Sequence, residues 1–146
     1  MHHQKAVELL FHLMPLLEMT FVRPIDQKFR NILSPLHAHV LFALINKKAT
    51  MTELANILFM SKQQLTPLVD RLVSDGFVQR EQDPSDRRSI TVSITSSGVD
   101  LLEQLKVETM KILGEKIHHL DETDAICLSN ALTDFHRIIL KISEKK

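Results

Sequence analysis

At 146 residues, 44% hydrophobic and 25% charged, the chain has the make-up of one globular domain with enough apolar material for a substantial core, which argues against disorder for most of it. Eighteen Lys+Arg balance 18 Asp+Glu, so overall charge draws the chain to neither nucleic acid nor membrane, and any such attraction has to be local. A single cysteine, Cys127, excludes an internal disulfide framework, and no apolar run is long enough for a membrane span or a signal-peptide core, so a soluble cytoplasmic protein is expected.

In chain order, Val7, Leu10, Leu13, Met14, Leu17 and Phe21 recur at helical intervals and predict one amphipathic helix over about 4–21, closed by Pro24. Leu36, Val40, Leu41, Leu44 and Ile45 predict a second, largely buried helix after Pro35, ended by Lys47-Lys48. Thr50-Met51-Thr52-Glu53 has the Thr-x-x-Glu form of a capping box and starts a short helix running to about Phe59. Ser61-Lys62-Gln63-Gln64 repeats the device, and Leu65, Leu68, Val69 and Leu72 then mark one helical face as far as Gly76, a natural left-handed stop. Pro67 lies inside this helix. Starting the helix at Thr66 would put the proline in its favoured first position, but the apolar spacing runs through it without a phase change, so the longer helix with a local kink is expected.

From Phe77 the period drops to two. Residues 77–81 predict a short strand, and Ile90, Val92 and Ile94 alternating with Thr91, Ser93 and Thr95 predict a second one with a wet face. The polar turn Gln82-Asp83-Pro84-Ser85-Asp86-Arg87-Arg88 joins them into a hairpin with a charged tip. Two long helices follow, one with Val99, Leu102, Leu105, Ile112, Leu113 and Ile117 in its stripe, the other with Ala125, Leu128, Leu132, Phe135, Ile138, Ile139 and Ile142 after an Asp121 N-cap. The expected fold is mainly α, a winged helix-turn-helix with a small β-hairpin wing and helices at both ends: one domain over 1–146, with 34–95 as the winged part and 1–33 and 96–146 as dimerisation helices.

Two capped helices joined by a tight turn and followed by a hairpin are the parts that meet DNA in winged helix-turn-helix proteins. The second helix enters the major groove by its N-terminal half, which makes Ser61, Lys62, Gln63, Gln64 and Thr66 the candidates for base contact. Glutamine suits bidentate pairing with adenine, and lysine reaches guanine or a phosphate. Ser61 and Gln64 also have the simpler reading of a cap and its reciprocal partner. At the hairpin tip, an arginine can enter a narrow minor groove while a carboxylate holds it in place, which singles out Asp86, Arg87 and Arg88. From 47 to 90, seven Lys/Arg face six Asp/Glu, so binding would rest on a few placed cations and show a modest salt slope.

The stretches Leu72-Val73-Ser74-Asp75-Gly76-Phe77-Val78-Gln79-Arg80, Asp83-Pro84-Ser85-Asp86-Arg87-Arg88 and Ile94-Thr95-Ser96-Ser97-Gly98 resemble, in order, a motif of the MarR family, the multiple antibiotic resistance regulators of bacteria. The resemblance extends to the layout of the whole chain and implies a homodimer on a pseudo-palindromic operator. It makes Arg88 the wing arginine, Asp86 its positioning carboxylate and Arg87 a phosphate contact. Thr52 and Ser61 join Arg87 as phosphate contacts, while Lys62, Gln63, Gln64 and Thr66 read the major groove. Ile94 replaces the family's usual leucine. The peroxide-sensing members carry a cysteine near the N-terminal helix, and here the lone cysteine stands at 127.

Apart from the resemblance, apolar stripes on helices at both ends of the chain call for a partner, and a second copy would set two reading helices about 34 Å apart, one turn of DNA. The expected function is that of a sequence-specific transcriptional repressor, released from its operator by a small ligand or another signal; a winged-helix module that binds protein instead of an operator is the alternative. No phosphate-binding glycine loop, nucleophile elbow, CxxC or HExxH occurs, so neither an enzyme nor a cofactor is expected. The adjacent His118-His119 and the pair His37 and His39 lack metal-ligand spacing. Cys127 beside the last stripe reads as a small buried hydrophobe, and the six Met and seven Phe as core material that could also line an apolar effector pocket.

Overall fold

The computed structural model describes residues 1–144. The chain forms two compact units, Met1–Thr109 and the remainder from Met110. Its elements are α1 (His2–Leu17), a π-helical turn (Glu18–Val22), α2 (Arg23–Phe29), α3 (Pro35–Ala43), β1 (Ala49–Thr50), α4 (Met51–Ile57), α5 (Lys62–Ser74), β2 (Val78–Gln82), β3 (Ile90–Ile94), α6 (Ser96–Ile117) and α7 (Glu122–Ser143). No helix among the described residues is long and apolar enough to cross a membrane.

Pro24 does not close the first helix. The chain passes from α1 through the π-turn into α2, with the Arg23 amide bonded to the Glu18 carbonyl and Pro24 in the first turn of α2. The missing N–H of a proline is harmless at such a start, and the wide turn before it takes up the mismatch. No residue of α1 is buried, whereas Phe29, at the end of α2, joins the core.

That core is built within the first unit from Val40, Leu41 and Leu44 of the α3 region, Leu54 of α4, Leu65, Val69 and Leu72 of α5, Val92 of β3, and Leu101, Leu102 and Leu105 of α6. The helix over 36–45 is buried on one side only, since Leu36, Phe42 and Ile45 remain exposed. The aromatic and methionine residues contribute less than their apolarity promised: of the seven phenylalanines Phe29 alone is buried, and no methionine is.

Each winged-helix element begins or ends on a local device. Ser34 accepts from the His37 amide ahead of Pro35, and the Thr50/Glu53 and Ser61/Gln64 capping boxes are both complete. The helix α5 runs through Pro67 from Lys62 to Ser74, as the apolar spacing required. It ends in a Schellman motif, with Gly76 at φ 80° and the Phe77 and Gly76 amides on the Leu72 and Val73 carbonyls.

The sheet is antiparallel in the order β1-β3-β2, with Val78 opposite Ile94 and Gln82 opposite Ile90. The two-residue β1, too short to show a period, pairs Ala49 with Val92 and Thr50 with Thr91 and makes β3 the central strand. Its polar face is not uniformly wet, because Ser93 is buried and its hydroxyl has no partner among the described residues, while Val92 is buried on the opposite face. Both sides of the middle of β3 are thus shielded. In the second unit, Asp121 caps α7 by accepting from the Asp124 amide, and no residue of α7 is buried. Cys127 is therefore exposed rather than a core residue.

One titratable group is tied into the winged unit. His37 shares a hydrogen bond between its Nδ1 and Ser34 Oγ, and its pKa is lowered, first by burial and then by the Arg71 guanidinium, against a smaller opposing pull from Asp75. An unfolded histidine titrates near 6.5, so between that value and the depressed folded one the unfolded chain binds the extra proton. Folding stability from this residue is complete above about pH 6.5 and declines as pH falls through that window. Urea unfolding at pH 7.5 and 5.5 should show the decline, and His37→Gln should reduce it; an equal decline in both proteins would remove His37 as its source.

Candidate nucleic-acid interface

The start of α5 is exposed from Ser61 to Gln64 and again at Thr66, with Leu65 turned into the core between them. Local bonds then sort these residues by what they have left to offer. Gln64 Oε1 accepts from the Ser61 amide at 3.0 Å and the Ser61 hydroxyl accepts from the Gln64 amide at 3.1 Å. With its carbonyl so held, Gln64 presents only its NH2 group, a donor for N7 or O6 of a purine rather than a bidentate partner for adenine. Gln63 makes no side-chain bond among the described residues and keeps both functions. The Thr66 hydroxyl donates to the Lys62 carbonyl at 2.7 Å, which leaves its lone pairs and methyl group facing out. Thr52, at the second position of α4, is exposed beside the Thr50 cap.

The wing is pinned at its base and at its tip. Asp70 of α5 meets Arg80 of β2 at 2.6 Å, and Lys48, ahead of β1, meets Glu81 at 2.8 Å. Exposed pairs of this kind contribute less than about 1 kcal/mol to stability, and the first links α5 to the strand that carries the wing. At the tip, the Asp83 amide donates to the Ser89 carbonyl at 2.9 Å, and the Asp83 carboxylate accepts from the Ser85 hydroxyl and amide at 2.7 and 2.9 Å. Those bonds to Ser85 hold the Asp83 carboxyl below its ordinary range, so the turn keeps its acceptor charged down to acidic pH.

Asp86 acts differently from a carboxylate clamped on a guanidinium. It accepts from the Arg88 backbone amide at 2.9 Å, an Asx-type turn that sets where the arginine leaves the chain. Arg87 and Arg88 are exposed, and neither forms an ion pair among the described residues. The two guanidinium groups are thus available to an external anion.

The structure brings the α5 start and the wing tip into one unit, joined through Asp70 and Arg80. Sequence reasoning missed this pair, since ten residues separate its members and the motif stretch that ends at Arg80 does not reach Asp70. It also missed Thr95, whose hydroxyl donates to the Gly76 carbonyl at 2.7 Å and accepts from the Gly98 amide at 3.1 Å, tying the end of α5 to the start of α6. The conformation of Phe59, at φ 53° in the turn before α5, had no local signal either. No group of three His, Cys, Asp or Glu among the described residues could hold a metal ion. The rings of His118 and His119 meet edge to face.

Residues 33–89 match the model of the MarR family. The multiple antibiotic resistance protein MarR of Escherichia coli (strain K12) is 33% identical over 69 residues, 47% of this chain and 45% of that protein. The HTH-type transcriptional regulator SarZ of Staphylococcus saprophyticus is 30% identical over 97 residues, 66% of this chain and 65% of the relative. The chain therefore aligns with about half to two thirds of these relatives' length. Among solved structures, E. coli MarR in its apo form superposes with a TM-score of 0.75 at 23% identity over 86% of this chain and 95% of that one. A MarR mutant complexed with operator DNA gives 0.64 at 23% identity over 89% and 95%. At that identity the likeness to the solved structures is one of fold. Joined to the family match of residues 33–89, it shows that the chain carries a winged-helix part similar to that of the MarR family within the same overall fold.

Proposed function

We propose that the chain is a sequence-specific DNA-binding transcriptional regulator of the cytoplasm, a repressor that binds a pseudo-palindromic operator as a homodimer and leaves it in response to a small ligand or another signal. One observation carries the reading: a single unit holds a capped, exposed helix start bearing Lys62, Gln63 and Thr66 together with a wing tip whose Arg87 and Arg88 pair with no carboxylate among the described residues. In this reading Lys62, Gln63, Gln64 and Thr66 face the major groove, Gln64 through its NH2 alone. Arg88 enters the minor groove from an Asp86-fixed backbone, and Thr52, Ser61 and Arg87 meet phosphates. Residues 34–95 are the DNA-binding part and 1–33 and 96–146 supply the dimer contacts. The operator bound by E. coli MarR in its solved complex supports the same use of this fold here.

The second copy is supported by apolar surface that the chain leaves open. Val7, Phe11 and Met14 of α1 are exposed, as are Leu132, Phe135, Ile139 and Ile142, which share one face of α7. Packing that face against its symmetry mate removes it from water. Sedimentation should give twice the chain mass, and Phe135→Glu with Ile139→Glu should reduce it to one. DNA affinity should fall by tenfold or more in that variant, because the two half-sites then bind independently. A single-copy wild-type protein, or a protein that leaves no footprint on fragments of its own promoter, would overturn the proposal.

A further inference from the structure

Helix α5 keeps a proline where helix chemistry disfavours one. Pro67 lies beyond the first turn of α5, so it has no N–H for the Gln63 carbonyl and its ring crowds that group. The core gives no reason for it, because Pro67 is exposed while Leu65, Val69 and Leu72 are buried. With about 100° between successive residues, the buried trio points one way, and Gln63 and Pro67 lie on the opposite side, along the ridge of α5 farthest from the core. The exposed residues around the proline, Gln63, Thr66 and Asp70, all carry polar groups. Pro67 sets one apolar ring among them.

The chemistry of that ring says what it meets. In the major groove the base edges offer donors, acceptors and a single apolar group, the C5-methyl of thymine. Resting on the reading of α5 as the major-groove helix, we infer that Pro67 is a specificity determinant that packs its ring on a thymine methyl. The ring has no donor and no charge, so it gains nothing from a phosphate or from a purine edge. Being closed on the backbone, it also loses no rotamer freedom when it is packed. Pro67 follows Gln63 by one helical turn, about 6 Å of rise, which places its thymine within about two base-pair steps of the base that Gln63 engages.

The test measures wild type and Pro67→Ala on a 30-base-pair duplex that wild type enriches from a randomised library. Both are also measured on copies in which each thymine in turn is replaced by deoxyuridine, which keeps the pairing and drops the methyl. Alanine restores the missing N–H and is the better helix former, so the variant should melt at the wild-type temperature or above. Wild type should lose about fourfold in affinity at one thymine of each half-site, the transfer free energy of one buried methyl group, and Pro67→Ala should be indifferent to that replacement. The slope of log affinity against log salt should be the same in both, since a methyl contact releases no counterion. The contact is overturned if every replacement leaves wild type within twofold. It is overturned equally if the thymine that wild type requires is required as strongly by Pro67→Ala, which assigns the methyl to Thr66 or another side chain and leaves Pro67 as a kink alone. A variant that melts below wild type overturns it too, by making Pro67 part of the folding of α5. A wild-type protein that enriches no duplex overturns the DNA-binding reading itself, and the inference falls with it.

Discussion

Gly98→Ala is expected to destabilise the fold by about 3 kcal/mol, the upper part of the range for forcing a side chain into a packed interior. An added Cβ would collide with the Phe77 carbonyl and stand 2.6 Å from Ile94 Cγ1. The carbonyl has little room to retreat, since it accepts from the Thr95 amide at 3.0 Å and so belongs to the junction that joins β2, β3 and the start of α6. Relief has to come from shifting α6 outward, which loosens Leu101, Leu102 and Leu105 in the core. Gly114 offers the internal control, because it lies in the same helix with nothing within 4 Å of its added Cβ. There alanine should stabilise by about 0.5–1 kcal/mol through helix propensity. Urea unfolding of the two variants measures both effects, and a Gly98→Ala protein as stable as wild type would show that the approach of α6 to β2 is not tight.

Arg88→Ala is expected to weaken DNA binding by about 10- to 100-fold, in the range of a specific arginine contact. It should also lower the salt slope by about one. Folding should be untouched, since the side chain is exposed and forms no ion pair among the described residues. Asp86→Ala should cost less, because it loosens the backbone that aims Arg88 while leaving the charge in place. Fluorescence anisotropy across a salt series separates the two. Equal affinity and equal slope for Arg88→Ala and wild type would take the wing out of the interface.

What the sequence discloses here follows from how local each determinant is. The two capping boxes, the Asp121 cap, the Gly76 stop and the hairpin were legible because each is complete within a few residues and has a definite donor and acceptor. The course of α5 through Pro67 could be read from an apolar phase spanning Leu65 to Leu72. The features that stayed hidden depend on residues distant in the chain or on strain. β1 exists only because β3 lies beside it. Ser93 is buried by its surroundings, and Cys127 lies exposed on a helix with no buried residue. Pro24 looked like a terminator because a proline at the start of a new helix and one at the end of an old helix read alike. Among the candidate contact residues, the Ser61 cap was legible and the partner of Asp86 was not. Gln64 has its carbonyl committed to Ser61, and Asp86 serves an amide where a guanidinium was expected.

The π-turn at Glu18–Val22 makes the N-terminal rod a two-phase object. In an ordinary helix each residue advances about 100° around the axis, and a π-turn holds an extra residue within one revolution. Everything before Glu18 is thereby rotated with respect to Phe29, which the core holds in place. Deleting one residue from this turn would restore an ordinary helix and leave the strip of Val7, Phe11 and Met14 close to its present direction, whereas the same sequence wound as an uninterrupted α-helix would turn that strip by roughly a quarter of a circle. The insertion works as a dial that sets which side chains the rod shows to a neighbour, separately from how it is anchored.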